Sequence, residues 1–168
     1  MNPYHNPPHL YLDQSLYFVS ARTFEAQLYL KDGTRKQLFV KKLNDLLQEY
    51  QYKLYAWVVL DNHYHLIFET NQGAKLPKFM QALHGGTSRA LNLMDGIEGR
   101  KVWFNYWDRC LRDDVDFNTH CDYIHYNPVK HGFAEHPEDY PFSSYKDFLK
   151  RKYYEIGWGY AEQRILKN

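Results

Sequence analysis

The chain has 168 residues, and its 21 Lys and Arg side chains nearly balance 20 Asp and Glu side chains. This length suits one compact domain with a hydrophobic core, and the near-neutral charge does not by itself indicate a polyanionic partner. The two cysteines form no CxxC pair or zinc pattern, so a reducing cytoplasm is expected. Without a signal-peptide pattern or a long apolar run, we expect no membrane association.

Alternating apolar and polar residues predict strands, and apolar residues at helical spacing predict helices. An irregular arm is expected over residues 1–14 and a tight turn at Asp61-Asn62. The predicted elements are a strand at 15–23, a helix at 37–50, strands at 52–60 and 63–70, a helix at 73–94, a strand at 101–111 and a helix at 112–128. This order predicts an α+β fold, an antiparallel sheet with helices packed on it.

Two local signals affect the predicted helices. Gly85-Gly86 is expected to interrupt the helix at 73–94. The last predicted helix should end at Asn127-Pro128, because the residue before a proline disfavours the helical conformation. Residues 134–168 are predicted to form a C-terminal tail, either an appended arm or a short helix.

Two histidines lie two residues apart in the stretch DNHYHLIF, which spans 61–68. On a strand, His63 and His65 point to the same face and Tyr64 to the other. Two imidazoles on one face suit a single metal ion, although a bare HxH also fits two surface histidines on a half-exposed strand. A third ligand must come from elsewhere, and there is no HExxH motif or zinc-deaminase pattern to supply it.

A second polar stretch, CDYIHYNPVKHG, spans 121–132. On a helix, Tyr123 and Asn127 share one face because they are four residues apart, and Tyr126 lies close to Tyr123. Packing and helix capping would also explain these residues. Spacing alone does not choose between Tyr123 and Tyr126 as a nucleophile, and His125 between them can face either way.

Together, WVVLDNHYHLIF and the later DYIHYNPVKHG resemble the single-tyrosine HUH transposases, and in particular their REP-associated tyrosine transposase branch. The resemblance extends over residues 15–133, which we take as the transposase domain, and the tail segment YPFSSYKDF is also similar. It implies the ferredoxin-like fold of IS200-like transposases and HUH endonucleases. It also implies that Tyr123 is the nucleophile and that His63, His65 and Asn127 bind a divalent metal, Mg²⁺ or Mn²⁺.

The resemblance further implies a transposase that nicks and joins single-stranded, hairpin-containing DNA through a 5′-phosphotyrosine intermediate. The alternatives are a catalytically inactive or domesticated DNA-binding protein of the same fold, and an HUH nickase of the replication-initiator or relaxase type. We expect a bacterial, nucleoid-associated cytoplasmic protein that is a monomer or a homodimer. The predicted DNA-backbone contacts, each also explicable as a solvated surface charge, are Lys75, Lys78, Arg89, Arg109, Arg112 and Lys130.

Overall fold

A computed structural model of the chain describes residues 11–160. The predicted strands and helices are present in the predicted order, with boundaries shifted by a few residues. The elements are β1 (Leu16–Thr23), α1 (Gly33–Tyr50), β2 (Lys53–Val59), β3 (His63–Glu69), α2 (Leu76–Asp95), β4 (Trp103–Cys110), α3 (Asp114–Lys130) and α4 (Tyr145–Lys150). Among these residues, no helix is both long and apolar enough to cross a bilayer.

The four strands form one sheet in the order β2-β3-β1-β4, and every neighbouring pair is antiparallel. With α1 between β1 and β2, and α2 between β3 and β4, this is the ferredoxin-like arrangement, so the predicted fold class is confirmed. Helix α1 begins four residues earlier than predicted. Its N-cap is Asp32, whose carboxylate accepts a hydrogen bond from the Arg35 backbone N–H at 2.9 Å.

The two faces of the sheet carry separate hydrophobic cores. On β3, Tyr64, Leu66 and Phe68 are buried with side chains from α1 and α2, whereas Ile67 is buried with side chains from α3 and the C-terminal segment. This alternation follows from the two-residue side-chain repeat of a strand. His63 and His65 therefore lie on the α3 face of the sheet.

Helix α2 continues through Gly85 and Gly86, so the predicted interruption is wrong. The helix packs along α1, and a Cβ atom built on Gly86 would lie 2.5 Å from Cε of Lys42. Tertiary packing on α1 and the sheet therefore offsets the modest helix-destabilising effect of two glycines. The first residues of the predicted helix, Gly73–Lys75, form a 3₁₀ turn.

Helix α3 also continues past its predicted end, through Pro128 to Lys130. A proline near the end of a helix removes one N–H donor, and the helix ends with the His131 N–H donating to Asn127 O at 3.1 Å. Pro128 is itself buried, which contributes to offsetting the lost bond. Asn127 therefore lies inside the helix, and the helical backbone sets the direction of its side chain.

The described part of the predicted tail packs on the α3 face of the sheet. Tyr145 and Phe148 of α4 are buried there, Ser143 forms a bridge with Val58, and the Tyr140 hydroxyl donates to Val59 O at 2.8 Å. These residues thus extend the second core. Residues 1–10 of the predicted arm and 161–168 of the predicted tail lie outside the described residues.

Candidate active site

Strand β3 supplies two histidines to one end of the α3 face of the sheet. His63 is partly exposed, and His65 is buried at 5% exposure. In the antiparallel register with β1, Arg22 lies opposite His63 and Ser20 lies opposite His65. Paired residues point to the same face, so the two histidines share their surroundings with a guanidinium group and a hydroxyl group.

Helix α3 brings Tyr123 and Asn127 to these histidines. The Tyr123 ring meets the His65 ring edge to face, with the ring centroids 5.0 Å apart. One turn further along, the buried Asn127 side chain places Oδ1 2.9 Å from Nε2 of His63. Two residues from β3 and two from α3, some 60 positions apart in the sequence, thus form one cluster.

The cluster contains buried polar atoms that have no hydrogen-bond partner. Neither ring nitrogen of His65 is hydrogen-bonded, and Nδ2 of Asn127 is also without a partner. Buried polar groups are nearly always paired, so unpaired ones indicate a missing ligand such as an ion or a water molecule. An imidazole nitrogen with a free lone pair is a good ligand for a divalent transition metal.

The contacts of the His63 ring also indicate a missing ligand. Its Nδ1 lies 2.7 Å from Asn62 Oδ1, and its Nε2 faces Asn127 Oδ1. A neutral imidazole has one N–H, so donation to Asn62 leaves the Nε2 lone pair facing the lone pairs of an amide oxygen. A cation bound by both atoms would remove this repulsion, and Asn62 would fix the tautomer of the ligand.

Burial keeps both histidines neutral. It is the main cause that lowers the pKa of His65 to about 3, with the charge of His63 adding to the effect. Burial also lowers the pKa of His63, and the Asn127 amide oxygen, which would accept a hydrogen bond from the protonated ring, acts in the opposite direction. Neutral imidazoles keep their lone pairs at neutral pH, as metal binding requires.

Within the described residues, no group of three or more His, Cys, Asp or Glu side chains could hold a metal ion. The candidate donor set is two imidazoles and one carboxamide, none of them charged. Such a set fits Mn²⁺ or Mg²⁺ that keeps several positions for water and phosphate oxygens.

His63, His65 and Tyr123 line an open groove with a volume of about 630 Å³. One wall carries Tyr123, Lys130 and His131 of α3 and its C-terminus, and the other carries Phe104 and Trp107 of β4. Lys130 Nζ lies 5.3 Å from the Tyr123 ring centroid. The nucleophile candidate is thus on the surface of the groove, 40% exposed and accessible to a large substrate.

The six predicted DNA contacts do not form one surface. Lys130 is in the groove, whereas Arg109 is paired with Asp116 at 3.1 Å. Lys75 and Lys78 line a separate groove, which also contains Glu49. The remaining two, Arg89 and Arg112, are exposed on α2 and just before α3.

Tyr126 and His125 lie away from the groove. A Cβ atom built on Gly159 would lie 3.5 Å from Cδ2 of Tyr126, so this ring packs against the C-terminal segment. His125 is fully buried, and its ring nitrogens bond to Tyr154 and Ser144. The fold therefore separates the two tyrosines that spacing alone left equivalent.

Several groove residues were not predicted from the sequence. Arg22, Phe104, Trp107 and His131 all line the groove, and the His131 ring centroid lies 4.9 Å from that of His63. The sequence could have indicated Arg22, because the alternation of β1 places it on the same strand face as Phe18 and Ser20. The sequence could not indicate the two β4 residues, because an irregular register with β1 decides which face they lie on.

A histidine pair, a tyrosine and an amide thus meet on one face of a ferredoxin-like sheet. The family model described as "Transposase IS200 like" matches residues 18–127, nearly two thirds of the chain, and that segment contains all four residues. The chain therefore belongs to the IS200-like transposase family, as its resemblance predicted.

Its relatives are REP-associated tyrosine transposases. The protein of that name from Escherichia coli K12 is 28% identical over 142 residues, which cover 83% of this chain and 81% of the relative. A Haemophilus influenzae protein described as "Putative REP-associated tyrosine transposase" is 29% identical over 164 residues, which cover 84% of this chain and 90% of the relative. A solved REP-associated tyrosine transposase bound to a REP hairpin has the same fold, with a TM-score of 0.75, 24% identity and coverage of 94% and 91% of the two chains.

Proposed function

We propose that this chain cuts and rejoins single-stranded DNA next to a hairpin, with Tyr123 as the nucleophile. The observation that carries the proposal is the contact between Tyr123 and His65, an imidazole whose buried nitrogens have no partner. The relatives' names and the hairpin bound by the structural neighbour support the class of substrate. Bacterial cytoplasm, at the nucleoid, is the corresponding compartment.

The proposed reaction is a transesterification at phosphorus. The Tyr123 hydroxyl oxygen forms a bond to the scissile phosphorus as the bond to the 3′ oxygen breaks. The phenol loses its proton, the 3′ oxygen gains one, and the 5′ end remains as a phosphotyrosine. Because the phosphodiester energy is conserved, a 3′-hydroxyl can reverse the step and join the strands without ATP.

His63, His65 and Asn127 would hold the divalent ion that this chemistry requires. A free phenol has a pKa of about 10 and is a poor nucleophile at neutral pH. A bound divalent ion withdraws charge from the phosphate and stabilises the leaving oxygen. Three neutral ligands leave the full charge of the ion for this purpose. Because imidazole is a softer ligand than Mg²⁺ prefers, Mn²⁺ should bind more tightly.

Other residues of the groove would position the DNA. Lys130 and Arg22 lie on two sides of the cluster, where they can neutralise the phosphates adjoining the scissile one. Arg109 is already engaged by Asp116, and contacts from it and from Lys75, Lys78, Arg89 and Arg112 stay predictions.

The complete cluster within one chain also supports cleavage in cis. Tyr123 and His65 of the same polypeptide are in contact, so no second copy is needed to supply the nucleophile. A monomer is therefore the simplest active form, and a homodimer with two independent sites is equally compatible with this geometry.

The decisive experiment is covalent capture. The protein is incubated with Mn²⁺ and labelled single-stranded hairpins from the DNA flanking its own gene, and the products are separated on a denaturing gel. A protein-linked band is expected for the wild type and for Tyr126→Phe, and its loss is expected for Tyr123→Phe and with a chelator.

The control variant is matched, since Tyr126 is a tyrosine of the same helix whose ring packs against the C-terminal segment. Loss of the band in Tyr126→Phe alone would overturn the assignment of the nucleophile. Tight binding of the hairpins without any adduct would favour the alternative, a DNA-binding protein without catalysis.

A further inference from the structure

We propose that the β4 side of the groove is a stacking site for unpaired DNA bases that adjoin the scissile phosphate. Its two platforms are the rings of Phe104 and Trp107, and this pair is called the stacking pair below. The inference rests on the proposed function, and it assigns to named residues the recognition of nucleotides next to Tyr123.

A β-bulge creates the stacking pair. Ala21 pairs with Tyr106 and Thr23 pairs with Trp103, so Arg22 alone faces two residues of β4, Phe104 and Asn105. Such a bulge inserts one extra residue and redirects the side chains around it. Since Trp103 and Tyr106 both pack into the α1 and α2 core, the two residues between them are both left on the groove side.

The stacking pair is exposed although it belongs to a well-packed sheet. Phe104 is 43% exposed and Trp107 is 48% exposed, and both line the groove that holds the histidines. Trp107 also lines a neighbouring hollow of about 480 Å³ together with His65 and Tyr123. Large aromatic rings left open beside a reaction centre are typical of a binding surface.

The position of Trp107 is fixed by packing and pairing. Its ring meets the Phe18 ring edge to face at 5.9 Å, and Phe18 also stacks on His65 at 5.6 Å. Trp107 pairs in the sheet with Ser20, which lies opposite His65 on the other side of β1. A base on Trp107 would therefore be only two strands away from the reacting phosphate.

Two cations flank Phe104, one of the two rings of the stacking pair. The Arg22 guanidinium carbon lies 5.5 Å from the Phe104 ring centroid, and Lys101 Nζ lies 5.5 Å from the same centroid. Lys130 stands on the opposite wall. Alternation of rings with positive groups suits a single strand, whose bases stack on the rings and whose phosphates contact the cations. An apolar protein partner would not require these charges.

The test separates base contacts from phosphate contacts. Binding of two fluorescent oligonucleotides is measured by anisotropy, a thymidine decamer and a decamer of abasic residues with the same phosphates. The protein carries Tyr123→Phe, so that no covalent capture distorts the equilibrium. We expect a preference of at least about tenfold for the thymidine decamer, the usual contribution of a single stacked base.

The variants Trp107→Leu and Phe104→Leu should each reduce this preference severalfold and leave binding of the abasic decamer unchanged. Trp107→Phe keeps a ring and should retain most of the preference. Leu93→Ala is the control, because Leu93 is 81% exposed on α2, away from the groove. Thermal melting of each variant checks that the fold is intact.

Two results would overturn the inference: no preference for the thymidine decamer, or a preference that survives both leucine variants. The covalent capture gel is scored separately on protein with Tyr123 intact. An adduct without a stacking effect refutes only the stacking site. A stacking effect without an adduct refutes the proposed catalysis and leaves the site in place.

Discussion

Nε2 of His125 lies 2.7 Å from Oγ of Ser144, and this bond ties the helix of the candidate nucleophile to the central sheet. The Trp57 backbone N–H of β2 donates to the same Oγ at 2.8 Å. On the other side of the ring, Nδ1 lies 2.9 Å from the Tyr154 hydroxyl, which donates to Asp122 at 3.1 Å. These hydrogen bonds connect α3 to β2 and to the C-terminal segment, and we expect them to help hold α3 in place.

Removal of the imidazole should therefore destabilise the protein. His125→Leu removes one hydrogen-bond partner from each of two buried hydroxyls, those of Ser144 and Tyr154, and we expect the free energy of unfolding to fall by about 2 kcal/mol. Tyr154→Phe removes one hydroxyl and should cost about 1 kcal/mol. Urea unfolding measures both. Tyr153→Phe, at the exposed neighbouring tyrosine, is the control and should be nearly neutral, and an equally stable His125→Leu variant would show that the network does not hold α3.

His65→Leu should have the opposite effect on the metal-free protein. It replaces a buried imidazole that has no hydrogen bond, so stability should rise by about 1 kcal/mol. Mn²⁺ should raise the melting temperature of the wild type and leave that of the variant unchanged, because a ligand that binds only the folded state stabilises it. Differential scanning fluorimetry with and without Mn²⁺ gives both results.

His84→Leu is the matched control for this prediction. His84 is also mostly buried, but its Nε2 lies 2.7 Å from the Tyr64 hydroxyl. The same substitution should therefore destabilise the metal-free protein and preserve the response to Mn²⁺. If His65→Leu and His84→Leu lose stability equally, the unpaired nitrogens of His65 are not a sign of a vacant ligand position.

The free energy of unfolding should decrease as the pH is lowered through the acidic range, and His84 should account for a measurable part of this decrease. Burial lowers its pKa to about 4, whereas the unfolded residue has a pKa of about 6.5. Between these values the unfolded chain binds a proton that the folded chain does not, so the free energy of unfolding decreases as pH decreases. His84→Gln should reduce this slope by about 1.4 kcal/mol per pH unit.

Urea unfolding at several pH values across this interval measures the slope. His65 and His125 also have pKa values lowered by burial, so the variant should keep a slope of the same sign. A slope identical to that of the wild type would mean that His84 is protonated in the folded protein.

Cleavage in cis predicts the outcome of mixing two inactive variants. Tyr123→Phe lacks the nucleophile and His65→Ala lacks a metal ligand, so each should give no adduct with hairpin DNA. When Tyr123 serves the histidines of its own chain, a mixture of the two should also give none. An adduct in the mixture at about a quarter or more of the wild-type level would instead indicate a dimer that exchanges tyrosines between sites.

The sequence by itself determined the order and type of the elements, because side-chain periodicity and turn residues are local properties. It also placed His63 and His65 on one strand face and Tyr123 and Asn127 on one helix face, since both repeats are fixed by backbone geometry. The continuity and the ends of the helices were harder to predict from the sequence. Packing carried α2 through Gly85-Gly86 and α3 through Pro128, against the local preference of each segment.

Only the tertiary structure decided how these faces meet. The ring of Tyr123 contacts His65 and that of Tyr126 does not line the groove, because α3 packs on the sheet in one orientation. The groove wall formed by Phe104 and Trp107 depends on a register shift between β1 and β4, which is set by non-local pairing. Long-range contacts of this kind leave no periodic trace in a single sequence, so the cluster could be foreseen by resemblance, but its partners and its substrate groove required the fold.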